Sequence, residues 1–135
     1  MNVKTPQSIP AGRFNFMLIL LRIIAMLLLA FSVGYWSKLV GFADAGIRFD
    51  TLPVAWKIAA TALVVLQSVA ALGLWGGWHW GVVLWVLVAV IEFAMYGLNP
   101  AIFGEADLLL IFHATGLAAY VLMLALMPNR QRSTY

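Results

Sequence analysis

The stretch VLWVLVAVIEFAMYGLNP, residues 83–100, is almost entirely apolar and carries one carboxylate, Glu92, near its middle. A bilayer core about 30 Å thick is crossed by roughly 20 consecutive apolar residues in an α-helix. The stretch is therefore typical of a membrane-spanning helix. An ionisable group inside such a helix needs either a partner or a function, because lipid does not solvate its charge.

The composition of the whole chain favours the same environment. Of the 135 residues, 64% are apolar and 10% are charged, against about 45–50% and 25% in soluble proteins. We therefore expect the lipid bilayer to surround most of the chain. The cations are scattered, with no basic run, so we expect no nucleic-acid partner. The chain has no cysteine, which excludes disulfides, thiol redox chemistry and cysteine-ligated metals.

Four stretches are long and apolar enough to span a membrane. They cover residues 14–40, 54–74, 80–98 and 106–127. The connections are short, and the second is the tight turn WGGWH, residues 75–79. The sequence thus predicts a single integral membrane domain over residues 1–135. Its predicted fold class is all-α, a four-helix transmembrane bundle with up-down-up-down order.

Cations outside the spans predict the orientation. Lys and Arg concentrate on the cytoplasmic side of membrane proteins, and with four spans both tails lie on one side. The tail cations are Lys4, Arg13, Arg130 and Arg132. We therefore predict that both termini are cytoplasmic and that the chain is a multi-pass protein of the cell (inner) membrane. Lys38, Arg48 and Lys57 oppose this orientation, since they fall on the other side.

Glu92 has a candidate partner at matching depth. The third loop centres near residue 102, and Glu92 precedes it by ten residues while His113 follows it by eleven. At about 1.5 Å rise per residue both lie roughly 10 Å below the outer boundary on adjacent antiparallel helices. We expect a hydrogen bond or charged pair between them. Tyr96, one turn above Glu92 on the same face, is a further candidate donor.

A second polar pair is predicted near the cytoplasmic side. Arg22 lies about 12 Å inside the first helix by the same rise, and Gln67 reaches a similar depth in the second. A guanidinium offers five donors and keeps its charge, so acceptors must come to it. We expect Gln67 to supply one, and a lipid phosphate reached along the Arg22 stem to supply another.

Two interpretations of these polar residues stay open. They hold helices together or bind a partner subunit, as intramembrane polar groups commonly do. Alternatively, Glu92 and His113 relay protons or coordinate a small ligand, because intramembrane ionisable residues often mark pathways. Four short helices enclose little room for a transport path, which favours the first interpretation.

Small residues predict close helix contacts. On the second helix they are Ala55, Ala59 and Ala62, and on the fourth Ala114 and Ala118. Glycines 73, 77 and 81 also have this spacing, but they straddle the second turn, where backbone freedom is the better explanation.

The sequence offers no metal or catalytic constellation. His79 and His113 fall at opposite ends of the bundle, without a third ligand at useful spacing. No serine has a histidine at comparable depth together with an orienting acid. We therefore expect no metal, no cofactor and no enzymatic activity.

The first span, LLRIIAMLLLAFSVGYWSKLVGF over residues 20–42, resembles the opening of the DoxX-like four-helix membrane proteins. Arg22, Gly34 and Lys38 stand where those proteins have an Arg within the span, then a Gly and a Lys near its outer end. The Gly-to-Lys spacing is one residue longer here. The resemblance implies a four-helix bundle, and for some members an association with membrane redox complexes; it assigns no active site here.

These observations favour a non-enzymatic multi-pass membrane protein that acts as an accessory or interaction subunit of a membrane complex, or as a homo-oligomer. Its partner would be another membrane protein or a second copy of itself. The alternative is a small proton-coupled or ligand-binding membrane module centred on Glu92 and His113.

Overall fold

The computed structural model describes residues 11–42 and 51–126, with side chains from residue 15 onward, and contains no strand among them. In chain order its helices are α1 (Ala11–Leu39), α2 (Val54–Trp75), α3 (His79–Glu92), a π-helical segment (Phe93–Leu98), α4 (Pro100–Phe103) and α5 (Asp107–Leu126). The π-helical segment continues α3 without a break.

Four helices of the described part are long and apolar enough to cross a membrane. They are Asn15–Leu39, Val54–Trp75, His79–Leu98 and Asp107–Leu126. The predicted all-helical class with four long apolar helices is therefore confirmed for the described residues. The cations Lys4, Arg48, Arg130 and Arg132 and the side chain of Arg13, used above to predict orientation, lie outside them.

The buried face of α1 forms one stripe along the helix. Its members lie three or four residues apart, the spacing that places side chains on one face: Leu21, Ile24, Leu28, Ser32 and Tyr35. The Ser32 hydroxyl lies 3.0 Å from the Val64 carbonyl oxygen and 2.8 Å from the Ser68 hydroxyl of α2. The α1–α2 contact is therefore apolar packing fixed in register by a small polar patch.

Four of the five alanines in the predicted stripes are exposed, and the fifth, Ala59, is partly buried against the core. Ala55 and Ala62 of α2 are exposed, and so are Ala114 and Ala118 of α5. The buried small residues of α2 are instead Ala60, Ala70, Ala71 and Gly73. The expectation was wrong because a helix that is apolar all round gives no sign of which face turns inward.

The turn between α2 and α3 uses its glycines in two ways. Gly77 has a φ of +72°, a conformation that other residues adopt only at a cost. Gly73 and Gly81 instead let the two helices meet, since a Cβ on Gly81 would collide with the backbone carbonyl carbon of Gly73. Backbone freedom, the favoured explanation above, therefore accounts for Gly77, and close contact accounts for the outer two glycines.

We expect Gly81→Ala to lower the free energy of unfolding by about 1–3 kcal/mol, because the added methyl group overpacks a contact made by backbone atoms that cannot rotate away. The measurement is unfolding in detergent micelles followed by circular dichroism. Gly34→Ala is the control, since a Cβ there meets nothing within 4 Å, and it should leave stability unchanged or slightly raised. Equal stability of the two variants would contradict the close contact.

Candidate functional site: a buried polar cluster

Glu92, at the end of α3, is fully buried and is the centre of a polar cluster. Its Oε1 accepts hydrogen bonds from the Tyr35 hydroxyl at 3.0 Å and from Gln67 Nε2 at 2.8 Å. Its Oε2 is paired with His113 Nε2. The three partners lie on α1, α2 and α5, so one carboxylate connects the four long helices.

Trp85 determines the direction of the His113 bond. Its indole N–H, which can only donate, lies 3.1 Å from His113 Nδ1. Nδ1 must therefore accept, and a neutral imidazole then carries its proton on Nε2. His113 in this form donates to Glu92, so the geometry matches a neutral histidine beside an ionised carboxylate.

The two tyrosines form a chain of hydroxyl groups that ends on the same carboxylate. The Tyr35 and Tyr96 hydroxyls lie 2.7 Å apart. Because the single hydroxyl proton of Tyr35 is committed to Glu92, the Tyr96 hydroxyl must donate to Tyr35. Tyr96 lies in the π-helical segment that begins directly after Glu92. Such segments are rare and are frequent at functional sites.

One buried polar atom lacks a partner within the described part of the chain. It is Oε1 of Gln67, whose amide turns its N–H groups toward Glu92. An unsatisfied buried acceptor costs about 1–3 kcal/mol. The orientation of the amide is thus set by the charge of Glu92, since turning it round would place two oxygens against each other.

The structure brings some of the sequence-predicted residues together and leaves others apart. Glu92 and His113 meet, and Tyr96 reaches Glu92 only through Tyr35. Arg22 and Gln67 do not pair, contrary to expectation: Gln67 is bonded to Glu92, while Arg22 is exposed. The Arg22 guanidinium lies over the Trp75 ring, 5.6 Å from its centroid. Arg22 follows the buried Leu21 by about 100° around the helix, which turns it outward.

Sequence reasoning missed Tyr35 and Trp85. Tyr35 continues the spacing of the α1 stripe, but in an apolar helix that spacing is visible only once the buried face is known. Trp85 lies two turns before Glu92, and its indole N–H was a signal, because a tryptophan deep in lipid needs an acceptor.

A cavity of about 240 Å³, here called the outer cavity, adjoins the cluster between α1 and the start of α5. Its polar lining consists of Tyr35, Tyr96 and Lys38, and the other walls are apolar and include Ala30 and Leu109. The hydroxyl chain therefore leads from this cavity to Glu92. Within the described part of the chain, no three side chains of His, Asp or Glu come together as metal ligands.

The chain belongs to a family of unknown function, DUF6163, whose sequence profile matches residues 15–131. No curated protein matches the chain, and no solved structure does. The family match includes all the residues of the polar cluster and of the outer cavity. The DoxX-like resemblance of the first span stays a prediction.

We expect Glu92→Gln to lower the free energy of unfolding by about 1–3 kcal/mol, since its amide would oppose the Nε2–H of His113. In a Trp85→Phe background the loss should be smaller. Without the indole donor, His113 can carry its proton on Nδ1 and accept at Nε2. The measurement is a double-mutant cycle on unfolding in micelles, with an expected coupling of about 0.5–3 kcal/mol.

Trp75→Phe is the matched control background, because Trp75 is half exposed and contacts Arg22 rather than the cluster. There the effect of Glu92→Gln should be additive. An equal loss in both tryptophan backgrounds would show that Trp85 does not fix the tautomer of His113.

Proposed function

We propose that this chain is a non-enzymatic multi-pass protein of the cell (inner) membrane that acts by contact with another membrane protein or with a second copy of itself. In this proposal it is an accessory or interaction subunit. The four long apolar helices cross the bilayer in up-down-up-down order, with both termini cytoplasmic. The polar cluster holds those helices in the arrangement that the partner recognises.

The observation that carries this proposal is the shallow packing of α5. Only Leu109 and His113 of α5 are buried, whereas eight residues of α2 are. His113 attaches α5 to the rest of the chain through Glu92. Leu110, Phe112, Leu117 and Tyr120 are only partly buried against the core. On the remaining apolar surface Ala114 and Ala118 are exposed one turn apart. Small residues at this spacing permit close approach of another membrane helix.

The cluster suits a structural role in such a subunit. Its hydrogen bonds join side chains from four helices, and three of them end on the Glu92 carboxylate. Removing one member of a buried network leaves its neighbours unsatisfied, so the arrangement disfavours alternative helix registers. A fixed arrangement is what recognition by a partner requires.

A second candidate function is a small proton-coupled or ligand-binding membrane module that uses Glu92 and His113. The observation that favours it is the hydroxyl chain through Tyr35 and Tyr96, which links Glu92 to the outer cavity. A chain of hydrogen bonds between a titratable group and a cavity is the arrangement that proton relays use. Protonation of Glu92 would also permit the Gln67 amide to turn and use its unpartnered oxygen.

We expect the chain, extracted from its native membrane in a mild detergent, to elute with a second copy or with another membrane protein. Ala118→Phe should release it as a single chain, because the larger ring blocks close approach at the exposed α5 face. Ala62→Phe is the matched control, an equally exposed alanine on α2, and should leave the complex intact. The measurement is light scattering on the eluted particle, with mass spectrometry of its proteins.

A wild-type particle that contains one chain and no other protein would contradict the interaction proposal. So would a complex that Ala118→Phe and Ala62→Phe affect equally, because the α5 face would then have no special part in it.

For the second candidate, we expect reconstituted vesicles to acidify after an imposed pH step faster than empty vesicles, as reported by an enclosed pH-sensitive dye. Glu92→Gln should reduce this rate at least tenfold, because the relay loses its titratable group. Glu105→Gln, which changes an exposed carboxylate outside the cluster, should not. Wild-type vesicles no faster than empty ones would contradict proton coupling.

A further inference from the structure

The outer cavity is larger than a hydration site. Its volume of about 240 Å³ exceeds the 10–15 Å³ that one water needs by more than tenfold. It lies somewhat below the 300–1,000 Å³ typical of ligand pockets. Ala30, Gly34 and Leu108 on its rim are exposed, so it opens on the outer surface of the bundle. In a bilayer that surface faces lipid chains, and the occupant would enter from the lipid.

Lys38 gives the cavity a positive charge. Its ammonium lies 6.0 Å from the centroid of the Tyr35 ring and 5.8 Å from that of the Trp56 ring. Within the described residues no carboxylate forms an ion pair with it. Among the described residues its contacts are the two aromatic faces, which leaves this exposed ammonium available to an anion that enters the cavity.

Tyr96, which also lines the cavity, supplies a second donor. The Tyr96 hydroxyl is the first donor in the series of hydrogen bonds, because it donates to Tyr35 and Tyr35 in turn donates to Glu92. Its proton can rotate from Tyr35 toward the cavity without breaking the Tyr35–Glu92 bond. The cavity therefore offers two donors to one head group, an ammonium and a phenol, while its other walls are apolar.

We propose that the outer cavity binds the carboxylate of a single-chain fatty acid, with the head group between Lys38 and the Tyr96 hydroxyl. The alkyl chain leaves through the exposed rim and lies along α1 and α5. A carboxylate accepts several hydrogen bonds at once and is favoured by a cation in a partly buried site. The carboxylate and the first carbons of one acyl chain occupy the cavity, whereas a two-chain phospholipid would place a larger head group in the same space.

This inference rests on the second candidate function, since it names the ligand class and the place where it binds. It is separable from proton coupling. Fatty acid binding without any effect of Glu92→Gln on proton flux would leave the site standing and remove the coupling. Proton flux that depends on Glu92, without fatty acid binding, would do the reverse.

The test uses the full chain in phosphatidylcholine nanodiscs and radiolabelled tetradecanoic acid, with binding measured by scintillation proximity against empty nanodiscs. We expect saturable binding that Lys38→Gln weakens at least about tenfold, since it removes a charge-assisted hydrogen bond. Tyr96→Phe should weaken it severalfold. Ala30→Phe should abolish it by filling the cavity.

The matched controls change residues that do not line the cavity. Lys57→Gln removes a lysine at the start of α2, and Ala62→Phe adds a ring to an exposed face of the same helix. Both should bind tetradecanoic acid as the wild type does. Circular dichroism melting verifies that each variant is folded.

Competition on the wild-type protein tests the head group without any substitution. Unlabelled tetradecanoic acid should displace the label, and its methyl ester should not, because the ester has no charge for Lys38. The proposal is overturned if the ester competes as well as the acid. It is overturned also if phosphatidylglycerol or tetradecyl phosphate displaces the label more strongly than the acid, or if Ala30→Phe binds like the wild type.

Discussion

A carboxylate buried among apolar helices needs donors, and the position of Glu92 therefore constrains the whole bundle. Transfer of an ionised group from water into a low-dielectric interior is expensive unless hydrogen bonds replace the lost hydration. Glu92 receives three of them, from Tyr35, Gln67 and His113. Since these donors lie on three other helices, a shift of any one helix by a turn would leave the carboxylate short of a donor.

The cluster also has a direction, which follows from the fixed roles of two side chains. The indole of Trp85 can only donate, and an ionised carboxylate can only accept. Both hydrogen bonds are therefore donated in the same direction, from Trp85 to His113 and from His113 to Glu92. The single sense of donation explains why Gln67 presents its N–H groups and leaves its oxygen unsatisfied. The unsatisfied oxygen of Gln67 is a local cost of an orientation in which Glu92 receives three hydrogen bonds.

The coarse architecture and the central pair could be predicted from the sequence, because both depend on position along the chain. Apolar run length predicts the four helices, and equal distance from a short loop predicts that Glu92 and His113 meet. Rotation about each helix axis could not be predicted. Helices that are apolar on every side carry no amphipathic signal, so the sequence did not show that Arg22 turns outward while Gln67 bonds to Glu92.

The polar residues could have supplied the missing rotational signal. Ser32 and Tyr35 are three residues apart, a spacing that places both on one face of α1, and that face is the buried one. In a chain surrounded by lipid the rule for soluble helices is inverted, since polar side chains turn toward the interior and apolar ones cover both sides. The sequence alone does not single out Tyr35, because a tyrosine near a helix end is also typical of the interfacial aromatic belt.

The proposed structural and ligand-binding functions are compatible, because both would use the same hydrogen bonds. The hydrogen-bonded network ends at Tyr96, a residue that lines the outer cavity. When an anion in the cavity accepts a hydrogen bond from the Tyr96 hydroxyl, the Tyr35 oxygen no longer receives that bond. The Tyr35 hydroxyl is then less polarised. Its bond to Glu92 then weakens, since hydrogen bonds in a chain strengthen one another. The same carboxylate is paired with His113 of α5, so in the proposed complex occupancy of the cavity would be transmitted to the helix that presents the exposed alanines.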